Sequence, residues 1–150
     1  MTLQIWIDGD GCPRGAVQFT LEEGERRGLD VWLVTNVHHE QQAQNRLVVD
    51  GHAQAVDLAI LNRLKAGDVV ITQDIGLAAM VLGRRGYALH PNGTEYDSGS
   101  MPLLLEMRES AAKHRRGGGR TRGPKKRSNE DQEKFQSCLA GVLDKIGGYE

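Results

Sequence analysis

Two aspartates separated by a single glycine follow an apolar run at the start of the chain, in Ile5-Trp6-Ile7-Asp8-Gly9-Asp10-Gly11-Cys12-Pro13. Leu3 to Ile7 reads as a buried strand, and aspartate is a poor strand residue. Two of them at a strand tip need a reason. In an open α/β sheet, ligands bind outside the carboxyl ends of the strands. With extended geometry carried through, Asp8 and Asp10 project to one side, roughly 6–7 Å apart along the chain. That spacing suits oxygen ligands around a hard cation such as Mg²⁺. Turn chemistry is the competing reading: one Asp caps the helix that Pro13 opens at its first position, and the other sits in a Gly-rich turn.

Two more carboxylates fit the same pattern. Asp74 follows the apolar run Asp68-Val-Val-Ile-Thr72 and precedes a helix. Asp57 lies among Val56, Leu58 and Ala59 near the start of another helix, where a carboxylate is costly without a partner. Asp8, Asp10, Asp57 and Asp74 meeting at one sheet edge would form a Mg²⁺ or Mn²⁺ site able to activate water and support an in-line phosphoryl displacement. Asn36 and Thr72 end strands at the same edge and would position a water or a phosphate oxygen. The alternatives stay open: Asp74 as a helix cap, Asp57 on a wet helix face. Asp50 and Asp68 also border strands and are assigned to turns at other edges.

These positions rest on a regular alternation. Strands are expected over 3–7, 30–35, 46–50, 68–72 and 87–90. Helices are expected over 13–28, 52–66, 75–85, 101–114 and 128–146, from apolar residues at helical spacing with Gly28, Gly67 and Gly86 as stops. Residues 38–45 read as a loop or short helix, and 95–100 as a turn. Alternating strands and helices imply an α/β three-layer sandwich around a mostly parallel sheet of four or five strands. The last helix carries Phe135, Leu139, Val142 and Leu143 on one stripe. The expected organisation is a domain over 1–112, a basic flexible segment over 113–127, and a helix over 128–150 packing on the same domain.

The 150-residue chain is 39% hydrophobic and 26% charged, with net charge −1, which fits a single soluble domain. No apolar run reaches the ~20 residues of a membrane span. The amino terminus lacks a basic-then-apolar leader, so a cytoplasmic location with no membrane partner is expected. Cys12 and Cys138 are too far apart in sequence for a redox or zinc pair; Cys12 lies at an expected helix start, where a thiolate is favoured. The charge is uneven. Lys113, Arg115, Arg116, Arg120, Arg122, Lys125, Lys126 and Arg127 are eight of the 19 basic residues, in a stretch without an acid; the remainder of the chain has 11 against 20. Such a segment on an acidic body suggests a polyanion contact, with a solvated linker as the plain alternative.

The motif Asp8-x-Asp10-x-Cys12-Pro13 resembles the signature of the YaiI/YqxD family of small bacterial proteins. Thr72-Gln73-Asp74-Ile75-Gly76-Leu77-Ala78 is similar to that family's Thr-x-Asp-x-x-Leu-Ala segment. His90-Pro91-Asn92-Gly93 matches its turn in part, and Gly123-Pro124 with Ser128 and Phe135 resembles its tail. The family is grouped with PIN-like nuclease domains. The resemblance therefore implies a PIN-like parallel sheet and RNA hydrolysis at an acidic site, with Asp8, Asp10 and Asp74 as Mg²⁺ or Mn²⁺ ligands. Asp57 would complete the shell or orient the attacking water. Gln54 stands where family members often carry a further acid, a departure that weakens metal affinity if that acid is a ligand. No dinucleotide cofactor is expected. A non-catalytic RNA- or partner-binding domain that keeps the fold is the alternative. An aspartyl-nucleophile phosphatase is a third, disfavoured because Lys65 is the only lysine among the first 112 residues.

Overall fold

A computed structural model gives the fold and describes residues 3–36, 45–49, 54–99, 101–102, 105–106, 109–110 and 126–147. The elements run β1 (Gln4–Asp8), α1 (Arg14–Arg27), β2 (Asp30–Thr35), β3 (Asn45–Val48), α2 (Ala55–Arg63), β4 (Val69–Ile71), α3 (Ile75–Gly83), β5 (Tyr87–Leu89), β6 (Glu95–Tyr96) and α4 (Asn129–Gly147). Residues 101–102, 105–106 and 109–110 are also helical. Together these form an α/β sandwich around one six-stranded sheet, in the order β3-β2-β1-β4-β5-β6. The first five strands are parallel, and β6 runs antiparallel to β5.

Alternation along the central strands sorts the core into two layers. Ile5, Ile7, Leu33, Val69 and Ile71 face α1 and α4, meeting Ala16, Val17, Phe135 and Leu139. Trp6, Val34, Val70 and Ala88 face α2 and α3, meeting Val56, Ile60, Leu77 and Val81. The continuous apolar runs of β1, β2 and β4 are what strands buried on both faces require. The strand order reverses direction between β1 and β4. In a doubly wound sheet that crevice is the ligand-binding switch point.

Several local expectations change. Pro13 caps α1 from outside, at φ −60° and ψ 143°, and Arg14 is its first helical residue. α2 ends at Arg63, short of Ala66, because Leu64 turns extended (ψ 136°). The Asp68 side chain also pins the next turn by accepting the Lys65 N–H at 3.0 Å. Residues 95–96, read as a turn, pair as β6. The signal was Asn92-Gly93, a hairpin dipeptide, and Gly93 adopts φ 96° there. Asp68 does lie at another edge: it is buried and also accepts from the Gln4 N–H at 3.0 Å and Trp6 Nε1 at 3.1 Å. Asp50 and the segments 37–44 and 111–125 lie outside the described residues.

Candidate functional site

β1 delivers Asp8 to the carboxyl edge of the sheet. It lies on the same side of the strand as Trp6, the side covered by α2 and α3. Only 8% of Asp8 is exposed. Its Oδ2 accepts a hydrogen bond from Thr72 Oγ1 at 2.8 Å, and the Asp10 backbone N–H also donates to it. Burial pushes its carboxyl up to about 6 from the usual carboxylate range, and the charges of Asp10 and Asp74 push the same way. Asp10 and Asp74 thus stand within range of the Asp8 charge.

The strand does not extend to Asp10. Gly9 approaches β2 so closely that a Cβ there would stand 2.9 Å from the Val34 carbonyl oxygen, and its N–H donates to that oxygen at 2.7 Å. Gly11 follows at φ 91°, a backbone region that favours glycine. Asp10 therefore sits in a turn, not in the extended register anticipated from spacing. Its Oδ1 accepts from Thr35 Oγ1, at the end of β2, at 2.9 Å. Asn36 follows directly at the same edge.

Asp74 caps α3: its Oδ1 accepts from the Gly76 N–H at 2.8 Å and the Leu77 N–H at 3.2 Å. The cap reading of Asp74 is therefore met. Thr72 is buried, and its hydroxyl serves both acids. It donates to Asp8, and its oxygen accepts the Asp74 N–H at 2.9 Å. Tyr96 donates from its hydroxyl to the Thr72 carbonyl at 3.2 Å. Burial, followed by the Asp74 charge, raises that hydroxyl to about 12.

Asp57 stands half-buried in the first turn of α2, in the layer that Asp8 faces, but the acids acting on Asp8 are Asp10 and Asp74. Gln54 is exposed at the amino-terminal cap of α2.

Cys12 does not carry the favoured thiolate. Burial first, then the Asp8 charge, raises its thiol to about 12, against a smaller opposing pull from Arg127. Arg127 has donors committed to the Pro91 carbonyl and to Gln132 Oε1, and its guanidinium lies 5.9 Å from the Phe135 ring centroid. Lys126 is exposed. Arg115, Arg116, Arg120, Arg122 and Lys125 lie outside the described residues.

All three clustered acids offer oxygen donors, the chemistry a hard divalent cation prefers. Among the described residues, no three His, Cys, Asp or Glu side chains stand closely enough to hold an ion between them. Thr35 and Tyr96 are the site residues that sequence reading missed. Thr35 reaches Asp10 across 25 positions of sequence, a pairing with no local signature.

No helix among the described residues is long and apolar enough to cross a membrane. No solved structure matches the chain. A UPF0178 protein of Heliobacterium modesticaldum is 42% identical over 146 residues, covering 97% of this chain and 100% of the relative. Others from Alkaliphilus metalliredigens and Exiguobacterium sibiricum are each 40% identical, covering 95% and 94% of this chain and 93% and 96% of those proteins. The family model described as "Uncharacterized BCR, YaiI/YqxD family" matches residues 6–145. With its Asp8–Asp10 turn and the Thr72–Asp74 segment both inside that match, the chain belongs to the YaiI/YqxD family.

Proposed function

We propose that the protein is a metal-dependent ribonuclease that hydrolyses RNA phosphodiester bonds at the β1–β4 edge. The observation that carries this reading is the convergence of Asp8, Asp10 and Asp74 at the switch point of the sheet, with the Asp8 carboxyl raised to about 6. Perturbed acids in a crevice are a recurring mark of functional sites. A PIN-like relationship is part of the same proposal. Asp8, Asp10 and Asp74 would be the acids that hold Mg²⁺ or Mn²⁺. Mg²⁺ is commonly held by one or two carboxylates, with waters and substrate phosphates completing its shell. The bound ion would supply Lewis acidity and a lowered water pKa. Thr72 fixes the orientation of Asp8, and Thr35 that of Asp10. Asp57 would orient the attacking water. Asn36 and the basic residues of 113–127 would contact phosphates without reading bases.

The absence of a closed three-ligand group among the described residues, together with Gln54 in place of an acid, favours a second reading: a non-catalytic RNA-binding domain. The phosphatase reading loses support, because Lys65 precedes β4 and so lies at the opposite edge from Asp8.

Cleavage of a labelled single-stranded RNA with Mn²⁺ separates the two main readings. The wild type is expected to cut, and Asp8→Asn to lose at least about 100-fold while staying folded, the scale of losing a charge-stabilising group. Undiminished cleavage by Asp8→Asn contradicts the site assignment. RNA binding without cleavage in the wild type favours the second reading.

A further inference from the structure

The amino-terminal edge of the sheet, opposite the carboxylates, carries a cluster of cations. Arg63 ends α2, Lys65 lies in the α2–β4 turn, and Arg84 and Arg85 follow α3. Backbone and side-chain bonds tie the two turns together. Arg84 Nη1 donates to the Leu61 carbonyl at 2.6 Å, and the Gly67 N–H donates to the Arg85 carbonyl at 3.0 Å. All four side chains are exposed. None forms an ion pair with a carboxylate among the described residues, whereas Arg26, Arg27, Lys134 and Lys145 all do. Capping of carbonyls accounts for one arm each of Arg63, which reaches the Ala59 carbonyl, and Arg84. It leaves Lys65 and Arg85 unexplained.

Arg85 supplies a second, independent observation. It is the sole non-glycine at positive φ among the described residues, at 64°. The Gly86 N–H returns to the Val81 carbonyl at 2.9 Å and the Arg85 N–H to the Leu82 carbonyl at 3.1 Å. This is a Schellman ending with arginine at the left-handed position that glycine usually takes. α1 makes its own ending with Gly28, at φ 71°. A left-handed arginine is about 1–2 kcal/mol less favourable than a relaxed backbone. A backbone outlier of this kind is a pointer to function at the residue that bears it.

We propose that Arg63, Lys65, Arg84 and Arg85 form a second contact for the phosphate backbone of the RNA engaged at the carboxylate edge. This rests on the ribonuclease reading for the identity of the polyanion. β4 is buried, so an RNA strand joining the two edges runs over the outer side of α2 and α3, each nine residues and about 13 Å long at ~1.5 Å per residue. Four exposed cations spread over two turns suit a chain of phosphates.

The test is the salt dependence of affinity for a 20-nucleotide single-stranded RNA, measured on the full chain in EDTA so that cleavage plays no part. The double variant Lys65→Gln with Arg85→Gln is compared with Lys134→Gln with Lys145→Gln, which removes the same charge. The patch variant is expected to lower the log–log salt slope by about 1.4, at ~0.7 per phosphate contact on a single strand. The control should lower it by less than half as much. Equal shifts, or none, overturn the proposal. So does displacement of the RNA by polyglutamate as effectively as by unlabelled RNA, which would assign the patch to acidic protein. Arg85→Gly separates charge from folding, since glycine relieves the backbone: its Tm should hold or rise while the slope falls by about 0.7. A slope effect without cleavage in Mn²⁺ removes the ribonuclease reading alone; cleavage without a slope effect removes the patch alone.

Discussion

Asp8 ties protonation to stability at a single carboxyl. Its folded pKa, about 6, lies above the ordinary 3.8, so the native state holds the proton more tightly than the unfolded chain. By linkage, native stability from this group rises as pH falls through 6 and is complete near 4. Above 6 the buried charge works against folding by up to about 3 kcal/mol, at ~1.36 kcal/mol for each pH unit that separates the folded and unfolded values. Asp8→Asn removes that dependence. In urea unfolding with EDTA, the variant's stability advantage over wild type should be about 3 kcal/mol larger at pH 7.5 than at pH 4. A difference independent of pH contradicts the burial argument. On the proposed reading, a bound divalent cation would offset this charge at neutral pH.

Among the elements, the β1–β4 pair bears the candidate site at one end and a buried, hydrogen-bonded acid, Asp68, at the other. Asp68 accepts from the Gln4 and Lys65 backbone N–H groups and from Trp6 Nε1. Asp68→Ala would strand these donors in a buried setting, each at about 1–3 kcal/mol. Thermal or urea unfolding should show a loss of at least about 3 kcal/mol; a loss below about 1 kcal/mol contradicts this role. Asp8 and Asp68 illustrate what sequence can convey. Both border apolar strands, and the sheet-edge rule distinguishes them only when one knows which end of a strand each occupies. That much was legible for Asp8 and Asp74, because the strands before them are short, apolar and bounded by polar residues. The turn at Asp10 was not, because Gly9 is required by the Val34 carbonyl, a contact between strands. Nor was β6, whose two residues are too few for any period and declared themselves only through Asn92-Gly93. The Schellman ending at Arg85 was hidden for the opposite reason: its glycine signal is absent.

At the scale of the whole molecule, α4 closes the layer over α1. Phe135 is fully buried, meets Phe19 edge-on at 6.2 Å between ring centroids, and lies under the Arg127 guanidinium. Glu23, held below its usual range chiefly by its hydrogen bond to Arg26, also binds Arg27, which reaches Asp144 of α4 at 2.8 Å. Phe135→Ala should lower stability by about 3–5 kcal/mol, as for large aromatic truncations in closed cores, read by urea unfolding. A loss below about 1 kcal/mol would mean that α4 does not share the core. Charge also differs between the two sheet edges: Asp8, Asp10 and Asp74 stand at the carboxyl ends of the strands, and Arg63, Lys65, Arg84 and Arg85 at the opposite edge.

On the proposed reading, the carboxylate edge holds a divalent cation. Calorimetric titration of Mn²⁺ into the wild type and into Asp8→Asn with Asp10→Asn tests this most directly. Saturable binding in the wild type that is lost in the double variant is the expected result. Absence of binding by folded wild type, or equal binding by both proteins, contradicts it.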